Sequence, residues 1–211
     1  MKEITKEQKI SRIVKWILLF ISIVIFISIL EDVYDKEIMT LDIAGYNLIS
    51  KYLIKDFTTP IAKFITNFGG ATVLILTTLI LLIVLKNKKI GVSIASNLAI
   101  STGINIILKN IVQRPRPIEF RLINESGYSF PSGHSMVSMA FYGYLIYLIY
   151  KNIENKKIKW TLITILSILI LTIGTSRIYL GVHYTSDVIA GFVVSLSYLI
   201  IYTSIIKRLI K

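Results

Sequence analysis

The chain has 211 residues, 54% hydrophobic and 17% charged, with 24 Lys and Arg against 12 Asp and Glu and no Cys, and a mean hydropathy of +0.70. Soluble domains average about 45–50% apolar and about 25% charged residues, so a soluble chain of this make-up would expose patches that aggregate. An ordinary soluble domain is excluded; so are disulfides, thiolate nucleophiles and Cys-type zinc sites, while the formal net charge of +12 fits nucleic acid, an anionic membrane face or an anionic substrate according to where the charges fall.

In chain order, a basic stretch from Met1 to Lys15 precedes the apolar run Trp16–Leu30. That run ends in Leu30-Glu31-Asp32 and not in a small-residue cleavage site, so a retained anchor is expected. Residues 31–56 then carry Glu31, Asp32, Asp35, Glu37, Asp42 and Asp56, half of the acids of the chain. Ile38, Leu41, Gly45, Leu48, Ile49 and Tyr52 recur there at helical spacing, which predicts a short amphipathic helix at the membrane interface. Such a helix either packs on the rest of the protein or flanks lateral access for a lipid.

Five further runs follow: Phe64–Leu85, Ile90–Leu108, Ser135–Tyr150, Trp160–Thr175 and Val188–Ile206. Each approaches the roughly 20 residues that cross a bilayer, and inside lipid the backbone must bond to itself, so they are read as helices. Lys2, Lys6, Lys9, Arg12 and Lys15 precede the first span. Lys86, Lys88 and Lys89 follow the second, Lys151, Lys156, Lys157 and Lys159 the fourth, and Lys207, Arg208 and Lys211 the last. Basic clusters mark cytoplasmic connections, and these fall on alternate connections. The expected architecture is an all-α membrane bundle of six transmembrane helices with both termini cytoplasmic, forming one domain over residues 1–211.

Two stretches on the opposite, outer side break the charge rule. One runs from Lys109 through Arg114-Pro115-Arg116-Pro117 to Pro131-Ser132-Gly133-His134; the other runs from Ser176-Arg177 through His183 to Asp187. They hold both histidines and three of the four prolines of the chain. Ionisable groups near membrane depth are costly and mark function. Lys109, Arg116 and Arg177 supply cations for phosphate oxygens. Ser132 and Gly133 sit where a helix begins, and free N–H groups at a helix start bind anions. His183 and Asp187 are four residues apart; on a helical turn the carboxylate fixes one ring nitrogen and leaves the other to attack phosphorus. His134 is then the general acid for the leaving oxygen. Two His and one Asp also suit zinc, but three cations in the same set would repel a divalent ion. Nucleic acid is not an expected partner, because the outward basic residues are few, spaced and interleaved with histidine.

These stretches together resemble the phosphatidic acid phosphatase type 2 (PAP2) superfamily. Its pattern is a lysine separated by six residues from Arg-Pro, then Pro-Ser-Gly-His, then Ser-Arg with five residues to His and three more to Asp. Lys109 with Arg116-Pro117, Pro131-Ser132-Gly133-His134, and Ser176-Arg177 with His183 and Asp187 fill every position. The resemblance implies a phosphatase that needs no metal or other cofactor and works in two steps. His183 is the nucleophile that forms a phosphohistidine, Asp187 supports it, His134 protonates the leaving group, and Lys109, Arg116, Ser132, Gly133 and Arg177 hold the phosphate. Relatives often carry proline where this chain has Thr185. The membrane plan opposes the soluble haloperoxidases of the same superfamily. Undecaprenyl diphosphate is the favoured substrate, because Arg114 and Arg121 are extra cations for a second phosphate unless they are simply exposed. Phosphatidylglycerol phosphate and phosphatidic acid are the alternatives, and a non-catalytic lipid-binding or transport protein on the same fold is the remaining one.

Overall fold

The computed structural model describes residues 6–35 and 38–207; of the predicted charge clusters, Lys2, Glu37, Arg208 and Lys211 lie outside them. Every regular element among the described residues is helical: α1 (Lys6–Tyr34), α2 (Thr40–Leu53), α3 (Thr58–Asn67), α4 (Ala71–Val84), α5 (Lys88–Val112), α6 (Gly133–Asn152), α7 (Lys156–Tyr179) and α8 (Thr185–Ile206). The starts of α5 and α7 follow ordinary capping chemistry. Asn87 accepts from the Lys89 N–H at 3.0 Å and Asn155 from the Ile158 N–H at 3.2 Å, which satisfies donors that the first turn leaves open. Helix α5 ends at Gln113 in the left-handed region, φ 53°.

Four helices are long and apolar enough to cross a membrane: the Arg12–Tyr34 part of α1, α5, α7 and α8. The predicted run Phe64–Leu85 is not one straight helix. It is divided into α3 and α4, which meet at a 47° bend and count as a fifth span if taken together. The break falls at Phe68-Gly69-Gly70, and glycine pairs are a usual cause of sharp kinks. Helix α6 spans the predicted Ser135–Tyr150 run but is not among the apolar spans. The reason is its place: it packs against α5, α7 and α8, so it touches protein and carries Ser135, Ser138, Tyr142 and Tyr144 as buried residues. The outer surface of the bundle is apolar, with Trp16, Phe20, Ile83 and Leu171 exposed, as lipid contact requires.

Helices α1 and α8 run antiparallel, with Lys15 donating to Ser204 and Ser22 against Ser197 at 2.6 Å. Down α5, the residues Ser93, Asn97, Ser101 and Asn105 are buried at every fourth position, one face of the helix. Tyr144 of α6 donates to Ser93 Oγ at 2.7 Å, and Asn105 Nδ2 donates to the Pro131 carbonyl at 3.3 Å. The next position along this face is Lys109, so the stripe that seats α5 on α6 also aims Lys109 at the start of α6. The helix predicted within residues 31–56 is observed as α2. Asp42 and Ile49 are buried, while Leu41, Leu48 and Tyr52 are exposed. A buried ion pair described below turns Asp42 inward, and Gly45 and Ile49 lie on the same protein-facing side.

Candidate active site

The loops after α5 and α7 and the starts of α6 and α8 meet at one end of the bundle. The Ser132 N–H donates to the Asp187 carbonyl at 3.0 Å, and Leu122 N–H donates to the Leu180 carbonyl at 3.0 Å, so both motif stretches are joined through backbone. Ser132 caps α6, its Oγ accepting from the Ser135 hydroxyl at 2.9 Å. Gly133 follows in tight quarters: a Cβ there would stand 3.0 Å from Asn105 Oδ1. The missing side chain lets the α6 start close on α5 beside Lys109.

His183 is buried in the loop ahead of α8. Its Nε2 accepts from Nη1 of Arg116 at 3.0 Å. Its Nδ1 faces Asp187 Oδ2 at 3.4 Å and Ser129 Oγ at 3.2 Å. Ser129 donates its own proton to Asp187 Oδ2, so its oxygen is an acceptor toward Nδ1–H. These partners select the tautomer with the proton on Nδ1 and a lone pair on Nε2. Asp187 also accepts the Tyr184 N–H at 2.9 Å, closing the first turn of α8 on itself. Burial pushes the His183 imidazole down to about 4, with Asp187 offsetting part of that. The ring is therefore neutral at physiological pH, as a nitrogen nucleophile must be.

Arg116 is held by the carbonyls of Gly127 and Ser126 at 2.9 Å and of Val182 at 3.0 Å. Burial lowers its pKa, and Glu125 offsets part of this. Lys109 donates to the Tyr128 and Ser129 carbonyls and feels the charges of Arg116, Glu125 and Arg177. Arg177 is 1% exposed; it donates to Thr66 of α3 at 2.8 Å and pairs with Glu125. Its Nε is buried without a hydrogen-bond partner, an open donor inside the cationic cluster. Burial alone would raise the Glu125 carboxyl, but Arg177 holds it below the usual carboxylate range. His134, at the first turn of α6, lies under the α3–α4 bend: a Cβ at Gly69 would stand 3.2 Å from its Cδ2, and one at Gly70 3.8 Å from its Nε2. It senses the charges of Arg177, Glu125, His183 and Arg116.

All eight residues singled out from the sequence therefore gather at this end of the bundle. Arg114 does not join them as a free cation. It is 7% exposed and locked between Asp42 at 2.8 Å and Asp187 at 2.7 Å, so it has no fork left for a second phosphate. Arg121 turns its Nε to the Pro117 carbonyl. Four contributors were missed: Ser129, Glu125, Thr66 and Asp42. Three of them sit in no motif; Ser129 lies two residues ahead of Pro131 and gave no signal beyond that nearness. Among the described residues, no three of His, Asp and Glu converge in a way that could hold a metal ion.

A profile described as the PAP2 superfamily matches residues 90–211. Phosphatidylglycerophosphatase B of Bacillus subtilis (strain 168) is 34% identical over 90 residues, which are 42% of this chain and 44% of that protein, so the match spans less than half of the relative. Undecaprenyl-diphosphatase of Sulfolobus acidocaldarius is 27% identical over 185 residues, 84% of each. A transmembrane PAP2-type phosphatidylglycerolphosphate phosphatase from Bacillus subtilis superposes with a TM-score of 0.74 at 25% identity, over 89% of this chain and 96% of that one. LpxE of Aquifex aeolicus shares the fold, with a TM-score of 0.65 at 22% identity over 80% of this chain and 98% of its own.

Proposed function

The chain belongs to the PAP2 superfamily, and from that premise we propose that it is a lipid phosphate phosphatase, a single domain over residues 1–211 that works through a phosphohistidine. The observation that carries this reading is His183, neutral, with Nδ1 backed by Asp187 and Nε2 facing the cationic group of Arg116. Nε2 attacks phosphorus as the P–O bond to the leaving group breaks, and His134 gives that oxygen its proton. Water then attacks the phosphohistidine, His134 takes the proton, and the N–P bond breaks. Arg116, Arg177 and Lys109, with the α6 start at Ser132 and Gly133, stabilise charge on the phosphoryl oxygens. No step requires a metal or other cofactor.

The six-span plan has both termini cytoplasmic and the site on the extracytoplasmic face of the cell membrane. It is supported by the placement of Lys86, Lys88, Lys89, Lys151, Lys156, Lys157, Lys159 and Lys207 at the helix ends away from the site. In this plan α3 and α4 form one broken span, α6 a central one, and α2 lies at the interface. The preferred substrate is undecaprenyl diphosphate, now supported by the relative matched over 84% of both chains and no longer by Arg114. Phosphatidylglycerol phosphate is the second reading, favoured by the 0.74 TM-score to a phosphatase of that lipid.

The test is phosphate release from both lipids by detergent-purified protein in EDTA, with His183→Ala as control. Release by the wild type alone supports the reading, and the ratio of rates selects the lipid. Full activity in His183→Ala removes the nucleophile assignment, and loss of activity in EDTA revives a metal.

A further inference from the structure

We propose that Asp42 and Arg114, which lie outside the residues that touch the phosphate, form a positioning relay that keeps the Asp187 carboxylate aligned and negatively charged behind His183. The inference rests on the reading of His183 as the nucleophile.

The relay begins on α2. Asp42 is 3% exposed. One of its oxygens accepts from Arg114 Nη2 at 2.8 Å and the other from the Ser186 N–H at 2.8 Å, in the first turn of α8. Helix α2 comes this close because residue 45 is glycine; a Cβ there would fall 2.2 Å from Oγ1 of Thr185. Arg114 Nη1 in turn donates to Asp187 Oδ1 and to Ser186 Oγ, both at 2.7 Å, and the guanidinium lies 4.1 Å from the Tyr184 ring centroid. With Oδ1 of Asp187 taken, Oδ2 is the oxygen that faces Nδ1 of His183. The planar fork of Arg114 thus spans two carboxylates from elements far apart in sequence, a bridge that a single ammonium could not make.

Charge explains why two carboxylates are needed. A buried guanidinium facing Asp187 alone would cancel the negative charge that Asp187 offers to His183. With Asp42 on the opposite side, the set Asp42, Arg114 and Asp187 keeps one net negative charge. When Nε2 bonds to phosphorus while Nδ1 keeps its proton, the ring becomes cationic. The surplus negative charge matches it, in an interior where charge interactions are strong.

The experiment measures kcat, KM and thermal unfolding in detergent for the wild type, Asp42→Asn, Asp42→Glu and Arg114→Lys, with His183→Ala as the blank. Asp42→Asn keeps the shape and removes the charge; Arg114→Lys keeps the charge and removes the fork. Each folded variant is expected to lose about tenfold or more in kcat with KM within about threefold, and Asp42→Glu to recover part of the loss. A kcat within about twofold of wild type in either folded variant overturns the relay. So does a loss that follows the folded fraction, which would make the network structural only. A second readout does not depend on turnover: the Nδ1–H signal of 15N-labelled His183. Asp42→Asn is expected to shift it, and an unmoved signal overturns the relay. A signal that shifts in Asp42→Asn while the wild type releases no phosphate keeps the relay and sinks the phosphatase reading instead.

Discussion

Arg116 Nη1 donates to Nε2 of His183 at 3.0 Å, so a cation rests on the lone pair that attacks phosphorus in the proposed mechanism. A phosphoryl group that binds here takes that donor for one of its own oxygens, and the lone pair is freed by the same event. In the proposed mechanism, recognition of phosphate and release of the nucleophile are therefore one step. Arg116→Lys keeps the charge but cannot hold the carbonyls of Ser126, Gly127 and Val182 while also donating to the site. The expected cost is about 100-fold in kcat, read from steady-state phosphate release; a loss below about threefold would detach Arg116 from the reacting group.

Ser129 is fully buried and stands between His183 and Asp187. Ser129→Ala removes a donor from the carboxylate and an acceptor from Nδ1–H. Leaving these groups short costs about 1–3 kcal/mol, and part of it falls on catalysis because the ring loses an orienting contact. A drop of about tenfold in kcat with a small fall in unfolding temperature is expected; thermal unfolding and kinetics on the same sample separate the two.

Glu125 pairs with Arg177, a cation proposed to hold the phosphate. The pair joins a Glu125 that is 30% exposed to a buried Arg177, so solvent screens it only from the carboxylate side and its worth is on the order of 1 kcal/mol. Glu125→Gln should release Arg177 and tighten inhibition by inorganic phosphate or vanadate by about two- to fivefold. Unchanged or weaker inhibition would mean that the carboxylate helps the ligand rather than competing with it.

His183 sets a pH expectation with a definite sign. Burial depresses its pKa to about 4, against about 6.5 in an unfolded chain. The imidazole therefore stays neutral as pH falls through 6.5 and is protonated only near 4. For stability the same shift acts in one direction: between those two values the unfolded imidazole binds a proton and the folded one does not, so acid favours unfolding there. Imidazole 15N NMR of the wild type checks both statements; titration of His183 near 6.5 would contradict the burial argument.

Adding a side chain at the glycine elbow above His134 gives a steric prediction. Gly69→Ala places a methyl 2.6 Å from Ile173 Cγ2 and 3.2 Å from His134 Cδ2. Overpacking of this kind costs about 1–3 kcal/mol. The variant is expected to unfold at lower temperature and to slow the step that uses His134, seen as a larger defect for poor leaving groups than for good ones.

What could be read from residues alone was whatever repeats locally. Helical runs are set by apolar length, and Trp16–Leu30, Ile90–Leu108, Ser135–Tyr150, Trp160–Thr175 and Val188–Ile206 all lie within observed helices. The eight site residues sit at fixed spacings whose chemistry is recognisable without coordinates. The Gly69-Gly70 pair inside Phe64–Leu85 is the local signal of the α3–α4 break. Tertiary structure decided the rest. Arg114 and Arg116 are two positions apart in a loop with no period to say which way either points; one faces His183 and the other Asp42. Asp42 was counted among outer-loop acids, and only the docking of α2 on α8 shows that it pairs with Arg114. Ser129, Glu125 and Thr66 matter because of what stands opposite them. A helix follows from residues a few positions apart, whereas a buried charge is stable only where a partner distant in sequence is brought to it, and that pairing exists only in the fold.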